Sequence, residues 1–172
     1  MARLAIKIGP GRYTFCGASL IEDNFLLTAK HCVPDFYNNC ITEKDCSAYF
    51  RDLILGRTHH EEGEFTVPIV DAFIREGRSD LAVLQLKFPV QEHPDYHLGP
   101  PLRPIGLALQ APQVGQVVTT AGWGVTGYNQ GRSQELRSLQ LTIAQVTAGH
   151  WHHGPGERHV GVHQRRDRRQ DH

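Results

Sequence analysis

Two residues set the chemical question. His31 lies in the run Leu26-Leu27-Thr28-Ala29-Lys30-His31-Cys32, and Asp80 heads the apolar run Leu81-Ala82-Val83-Leu84-Gln85-Leu86. An imidazole can take and return a proton near neutral pH, which suits it to general base and acid work. A carboxylate at the start of a buried strand either caps the preceding turn or needs a partner to offset its desolvation. If that partner is an imidazole, the carboxylate holds one ring tautomer and stabilises the imidazolium as the proton arrives. By itself, each residue is better read as structural, His31 as a surface or core histidine and Asp80 as the cap of a turn before a strand. Cys32 beside His31 does not make a thiolate–imidazole pair, because neighbouring side chains on a strand or turn diverge.

Cys16, Cys32, Cys40 and Cys46 form an even set confined to the first third of the chain. Even counts at loop-sized spacing point to disulfides in an oxidising compartment, with free buried thiols as the alternative. Zinc would want closer pairs such as C-x2-4-C, and no such gap occurs. His59-His60-Glu61-Glu62 is a second cluster of ligand type. Calcium needs several oxygen donors, and the neighbouring Arg57 argues against it. His150, His152 and His153 could capture zinc or nickel only adventitiously, without the supporting hydrogen bonds that built metal sites use. No metal or other cofactor is expected.

The elements that must position these residues are short β segments separated by turns. Leu4, Ile6 and Ile8 alternate with Arg3, Ala5 and Lys7, and Phe15 to Ile21 ends at the polar turn Glu22-Asp23-Asn24. Further segments are Phe25-Leu26-Leu27, Leu53-Ile54-Leu55, Phe65-Thr66-Val67, Leu81 to Leu86 and Val117 to Ala121. Leu139, Leu141 and Ile143 alternate with Gln140, Thr142 and Ala144. Such a series predicts an all-β barrel or sandwich, and no stretch keeps helical periodicity for three turns. From Gly149 onward, histidines and arginines crowd out apolar residues, so 147–172 is expected to be a disordered tail.

Motif order carries a resemblance to a known family. Cys16-Gly17-Ala18-Ser19-Leu20-Ile21 followed by Leu26-Leu27-Thr28-Ala29-Lys30-His31-Cys32 resembles the C-G-x-x-L-I strand and L-T-A-x-H-C turn of trypsin-like serine proteases. Asp80-Leu81-Ala82-Val83-Leu84-Gln85-Leu86 is similar to that family's D-I-A-L-L-x-L segment. Leu53-Ile54-Leu55-Gly56, Pro104-Ile105-Gly106-Leu107 and Ala121-Gly122-Trp123-Gly124 follow in the family's order, with Gly106 where many members carry a cysteine. The resemblance spans about Leu4 to Val146.

It implies His31 as general base and acid, Asp80 as its orienter, and a Cys16–Cys32 disulfide bracing the histidine. Cys40–Cys46 would close a small loop. It also implies a chymotrypsin-like pair of antiparallel barrels, of which 1–146 supplies the first and the crossover, with the second largely missing. The nucleophile of the family lies in G-D-S-G-G-P, whose glycine turns aim backbone N–H groups at an oxyanion. Ser19, Ser47, Ser79, Ser133 and Ser138 all lack that context. The expectation is therefore a serine endopeptidase represented by an incomplete chain that is inactive as written.

Protein or peptide substrates and protease inhibitors are the partners the resemblance implies for a complete form, which would be secreted and monomeric. No signal peptide is legible, since Lys7 and Gly9-Pro10-Gly11 interrupt the first apolar stretch. The 172 residues carry 18 Lys and Arg against 18 Asp and Glu, so no bulk charge argues for nucleic acid. No apolar run approaches the roughly 20 residues a membrane helix needs. The rival readings are a non-catalytic protease-like binding or decoy protein and, further behind, a histidine-rich metal-binding protein.

Overall fold

The structure is a computed structural model describing residues 1–33, 50–55, 67–74, 79–93, 96, 102–148 and 158–163. Nine strands and two single-turn 3-10 helices make up the regular structure among these residues, so the all-β reading holds. Two compact units divide the chain. The first comprises Met1–Leu107 and Trp123–Leu136, the second Ala108–Gly122 and Arg137–His172.

The first unit is built on a six-stranded sheet. Its strands are β1 (Ala2–Gly9), β2 (Arg12–Glu22), β3 (Phe25–Thr28), β4 (Phe50–Leu55), β5 (Ile69–Ile74) and β6 (Ala82–Leu86), in the spatial order β4-β1-β2-β3-β6-β5. Every neighbouring pair is antiparallel. Alternation decides what faces the core, because successive strand side chains point to opposite faces. Leu4 and Ile6 from β1, Ala18 and Leu20 from β2, Leu26 from β3, and Ala82, Leu84 and Leu86 from β6 are all buried in one cluster. Ala5 is buried as well, so the other face of β1 is covered at that point.

The run Leu81 to Leu86 reads as nearly continuous apolar, yet its burial alternates, with Val83 and Gln85 only half-buried. Strand β5 was not legible in the sequence. Pro68 signals a break, and a proline is tolerated there because β5 is an edge strand entered just after it. The expected segment Phe65-Thr66-Val67 lies outside the described residues except for Val67, which is buried in the core. Leu20 accepts a hydrogen bond from the Ile105 N–H (2.8 Å), tying the Pro104-Ile105-Gly106-Leu107 segment back along β2.

The second unit holds a three-stranded antiparallel sheet in the order β7-β8-β9, with β7 at Val117–Gly122, β8 at Arg137–Ala148 and β9 at Arg158–His163. Gly115, at φ 86°, makes the turn into β7, and its N–H donates to the Ile143 carbonyl (2.8 Å). That left-handed backbone conformation explains the glycine. Strand β9 falls within the stretch read as a disordered tail. Backbone pairing along β8, from Thr142↔His163 to Ala148↔Arg158, makes no demand on apolar side chains, and composition therefore gave no sign of it. The rest of 149–172 lies outside the described residues.

Candidate active site

Strand register places the two candidate residues together. In the antiparallel pair β3–β6, Thr28 is opposite Ala82. Residues just after β3 must then lie beside residues just before β6, and these are Lys30-His31 and Asp80. After Thr28 the chain tightens into a 3-10 turn over Lys30–Cys32, closed by Cys32 N–H donating to the Ala29 carbonyl (3.0 Å). Within that turn the side chain of Cys32 goes into the core, while His31 stands out into solvent.

Cys32 is joined to Cys16 on β2, with Cα atoms 6.1 Å apart, within the usual range for a disulfide. The Thr28 hydroxyl donates to the Gly17 carbonyl (2.9 Å), a second tie between the end of β3 and the residue after Cys16. The turn that carries His31 is therefore held on both sides. Cys40 and Cys46 lie outside the described residues, as does the His59-His60-Glu61-Glu62 cluster.

Asp80 grips His31 at two points. Its Oδ1 accepts the backbone N–H of His31 at 2.9 Å, and its Oδ2 lies 2.7 Å from the ring Nδ1. The His31 backbone N–H hydrogen bond, then the ring hydrogen bond, hold the Asp80 carboxyl below its ordinary value against an opposing desolvation. An ionised carboxylate can only accept, so Nδ1 must carry the proton that points at it. In the neutral ring, the other nitrogen, Nε2, then keeps its lone pair and can accept a proton. The side chains are 71% and 58% exposed, so the pair adds little to stability.

One grouping of three metal-binding side chains occurs among the described residues. Atoms of Cys16, His31 and Cys32 lie within 4.8 Å of one another. Both sulfurs are consumed in the disulfide, so no thiolate pair faces a cation there. No helix among the described residues is long and apolar enough to cross a membrane.

The trypsin family model matches residues 1–165 of the chain. The chain belongs to the trypsin family. Among curated relatives, kallikrein-15 of Saguinus oedipus is 30% identical over 137 residues, covering 77% of this chain and 49% of its own length. Brachyurin of Leptuca pugilator is 31% identical over 139 residues, covering 75% of this chain and 54% of its own. The chain thus spans about half the length of these trypsin-family relatives. A solved structure, the scabies mite inactivated protease paralogue S-D1, superposes with a TM-score of 0.64 at 19% identity, over 84% of this chain and 57% of that one. At that identity the likeness establishes the fold, which is chymotrypsin-like as the motif order implied.

Sequence reasoning singled out His31, Asp80, Cys16 and Cys32, which the structure brings together as two pairs. It missed the second donor to Asp80, the backbone N–H of His31, because a main-chain group leaves no signature in residue types. It also missed a cluster formed by Arg3, Phe15 and Arg132, which come from three separate segments.

Proposed function

We propose that the chain supplies the histidine and aspartate of a secreted serine endopeptidase. The observation that carries this reading is the double grip of Asp80 on His31, which leaves Nε2 as the proton-accepting nitrogen. In peptide hydrolysis, His31 would take the proton of a serine hydroxyl as it attacks the scissile carbonyl, then return it to the leaving amine. Asp80 would keep the ring in the required tautomer and stabilise the imidazolium between those steps. In the complete form, Asp80→Asn would lower kcat by roughly four orders of magnitude, the scale at which wrong-tautomer variants act.

The serine belongs to a G-D-S-G-G-P segment that these 172 residues do not contain. Among the described serines, Ser133 is buried and donates from Oγ to the Glu135 carbonyl (2.7 Å). By this reading the chain alone cleaves nothing, and proteins or peptides and protease inhibitors are the partners of the complete, monomeric form. Secretion is supported by the Cys16–Cys32 disulfide, which persists in oxidising compartments. The intact His31–Asp80 pair favours this reading over a non-catalytic binding or decoy role.

A fluorophosphonate probe, which reacts with activated serines, tests the proposal. The 172-residue chain should remain unlabelled. The form extended through its messenger RNA should be labelled at the G-D-S-G-G-P serine, and His31→Ala should abolish that labelling. Labelling of a serine within the 172 residues, or labelling of the extended form that persists in His31→Ala, would overturn it.

A further inference from the structure

Cys16, His31 and Cys32 meet at one point although they come from two separate elements. Cys16 lies on β2, His31 and Cys32 lie on the 3-10 turn after β3, and a ligand atom from each falls within 4.8 Å of the others. Zinc spacing rules describe cysteines carried on one short loop. Here the two cysteines are 16 positions apart, and strand pairing closes the gap. While the disulfide is closed, neither sulfur has charge to offer a cation. A thiol or phosphine reductant that supplies two electrons, with two protons from water, turns the link into two thiols.

Three contacts keep the group together without the sulfur–sulfur bond. The Thr28 hydroxyl donates to the carbonyl of Gly17, next to Cys16 (2.9 Å). Cys32 is packed into the core cluster, and its N–H closes the turn on the Ala29 carbonyl (3.0 Å). Asp80 holds both the main chain and the ring of His31 (2.9 and 2.7 Å). Reduction loosens the turn but leaves these contacts to keep the three side chains near one another. A tetrahedral zinc ion with Zn–S bonds of about 2.3 Å sets its two sulfurs about 3.8 Å apart. Cα atoms 6.1 Å apart leave room for that separation by side-chain rotation.

We propose that the reduced chain binds a zinc-class divalent cation through the Cys16 and Cys32 thiolates and Nε2 of His31. Two thiolates and an imidazole suit zinc, whereas magnesium and calcium want oxygen donors. The two thiolates neutralise the dication, so buried Cys32 and half-buried Cys16 carry no net charge inward. Binding releases both thiol protons to solvent. The supporting hydrogen bond is already in place, because ligating histidines donate their other ring N–H to a carboxylate, as His31 Nδ1 does to Asp80. Exposed His31 provides the entry path and leaves the fourth position of the ion to water.

One consequence rests on the reading of His31 as general base. A cation on Nε2 occupies the nitrogen that takes the serine proton, so the reduced, metal-loaded form would be catalytically silent. Metal binding itself stands whether or not the chain hydrolyses peptides.

The test uses the full chain carrying Cys40→Ser and Cys46→Ser, so that only Cys16 and Cys32 offer thiols. After phosphine reduction and removal of the phosphine under nitrogen, it is titrated with cobalt(II), which takes the ligands of zinc and reports them by colour. A thiolate-to-cobalt charge-transfer band should appear in the reduced chain, be absent from the oxidised chain and bleach when zinc is added. Histidines elsewhere in the chain cannot produce that band. Asp80→Asn should weaken cobalt binding about ten-fold, the scale of a lost supporting carboxylate, and His31→Ala at least as much. Zinc should also raise the urea midpoint of the reduced chain by more than that of the oxidised chain. Absence of the band, a cobalt affinity unchanged in His31→Ala, or a reduced chain that zinc does not stabilise overturns the inference.

Discussion

At the scale of single residues, the property that matters is which nitrogen of His31 carries the proton. The Asp80 carboxylate accepts from both the main chain and the ring of His31, and only an Nδ1–H tautomer satisfies it. Nitrogen-15 correlation spectra of the chain at a pH where the ring is neutral should therefore show the Nδ1–H form. In Asp80→Asn, the amide removes the charge and can itself donate to Nδ1, so the ring should switch toward the Nε2–H form. An unchanged tautomer in the variant would show that something other than Asp80 sets it.

The pH dependence has a defined sign. Asp80 has a lowered carboxyl pKa in the folded chain relative to its ordinary 3.8, chiefly through the His31 backbone N–H. The contribution of the grip is complete above 3.8 and is lost as pH falls through the lower native value. Carbon-13 titration of the Asp80 carboxyl should give a midpoint below 3.8, moving up toward it in denaturant.

At the scale of elements, the site depends on a short turn between a strand end and a disulfide. Lys30–Cys32 has one turn of 3-10 helix and no side-chain cap, so its shape is imposed by its neighbours. The Cys16–Cys32 link, across a sequence separation of 16, limits the unfolded chain and fixes the turn against β2. Replacing both cysteines by serine should lower stability by about 3 kcal/mol, the loop-closure estimate for a ring of this size. Urea unfolding measures that loss. The same spectra that report the His31 tautomer should show the ring–carboxylate bond weakened more than the β1–β2 pairing, which rests on its own hydrogen bonds. A double variant as stable as the parent would mean that the Thr28–Gly17 hydrogen bond and core packing hold the turn unaided.

At the scale of the whole molecule, burial is uneven between the two units. The first unit has a continuous buried cluster running through Leu4, Leu26, Ile69, Leu84 and Leu86. In the second, Ile143 is buried, while Leu109, Val114, Val117 and Leu139 are exposed. Of these, only Val117 and Leu139 lie in the strands, and the pairing of Val117 with Thr142 and of Thr120 with Leu139 puts them on opposite faces of the sheet, so each face presents exposed apolar surface. The dye anilinonaphthalene sulfonate should therefore gain fluorescence with the native chain in the absence of denaturant. Leu139→Lys, placed on the exposed part of β8, should reduce that gain without loss of stability. The relatives are about twice as long as the stretch they share with this chain.

Much of this was legible in the residues themselves. The apolar alternation of β1 and of the first half of β8 was readable because strand side chains repeat every two residues. The histidine turn, the aspartate and the cysteines were readable because motif order was preserved along the chain. Edge strand β5 was hidden behind Pro68, and β9 behind a polar composition, since backbone pairing is indifferent to side-chain type. What only the tertiary structure decided are contacts between residues distant in sequence. The β3–β6 register brings His31 to Asp80 across 49 positions, and a hairpin carries Arg132 to the ring of Phe15. Residue types can state that an imidazole and a carboxylate are available. The distance between them is set by strand pairing, which no local pattern encodes.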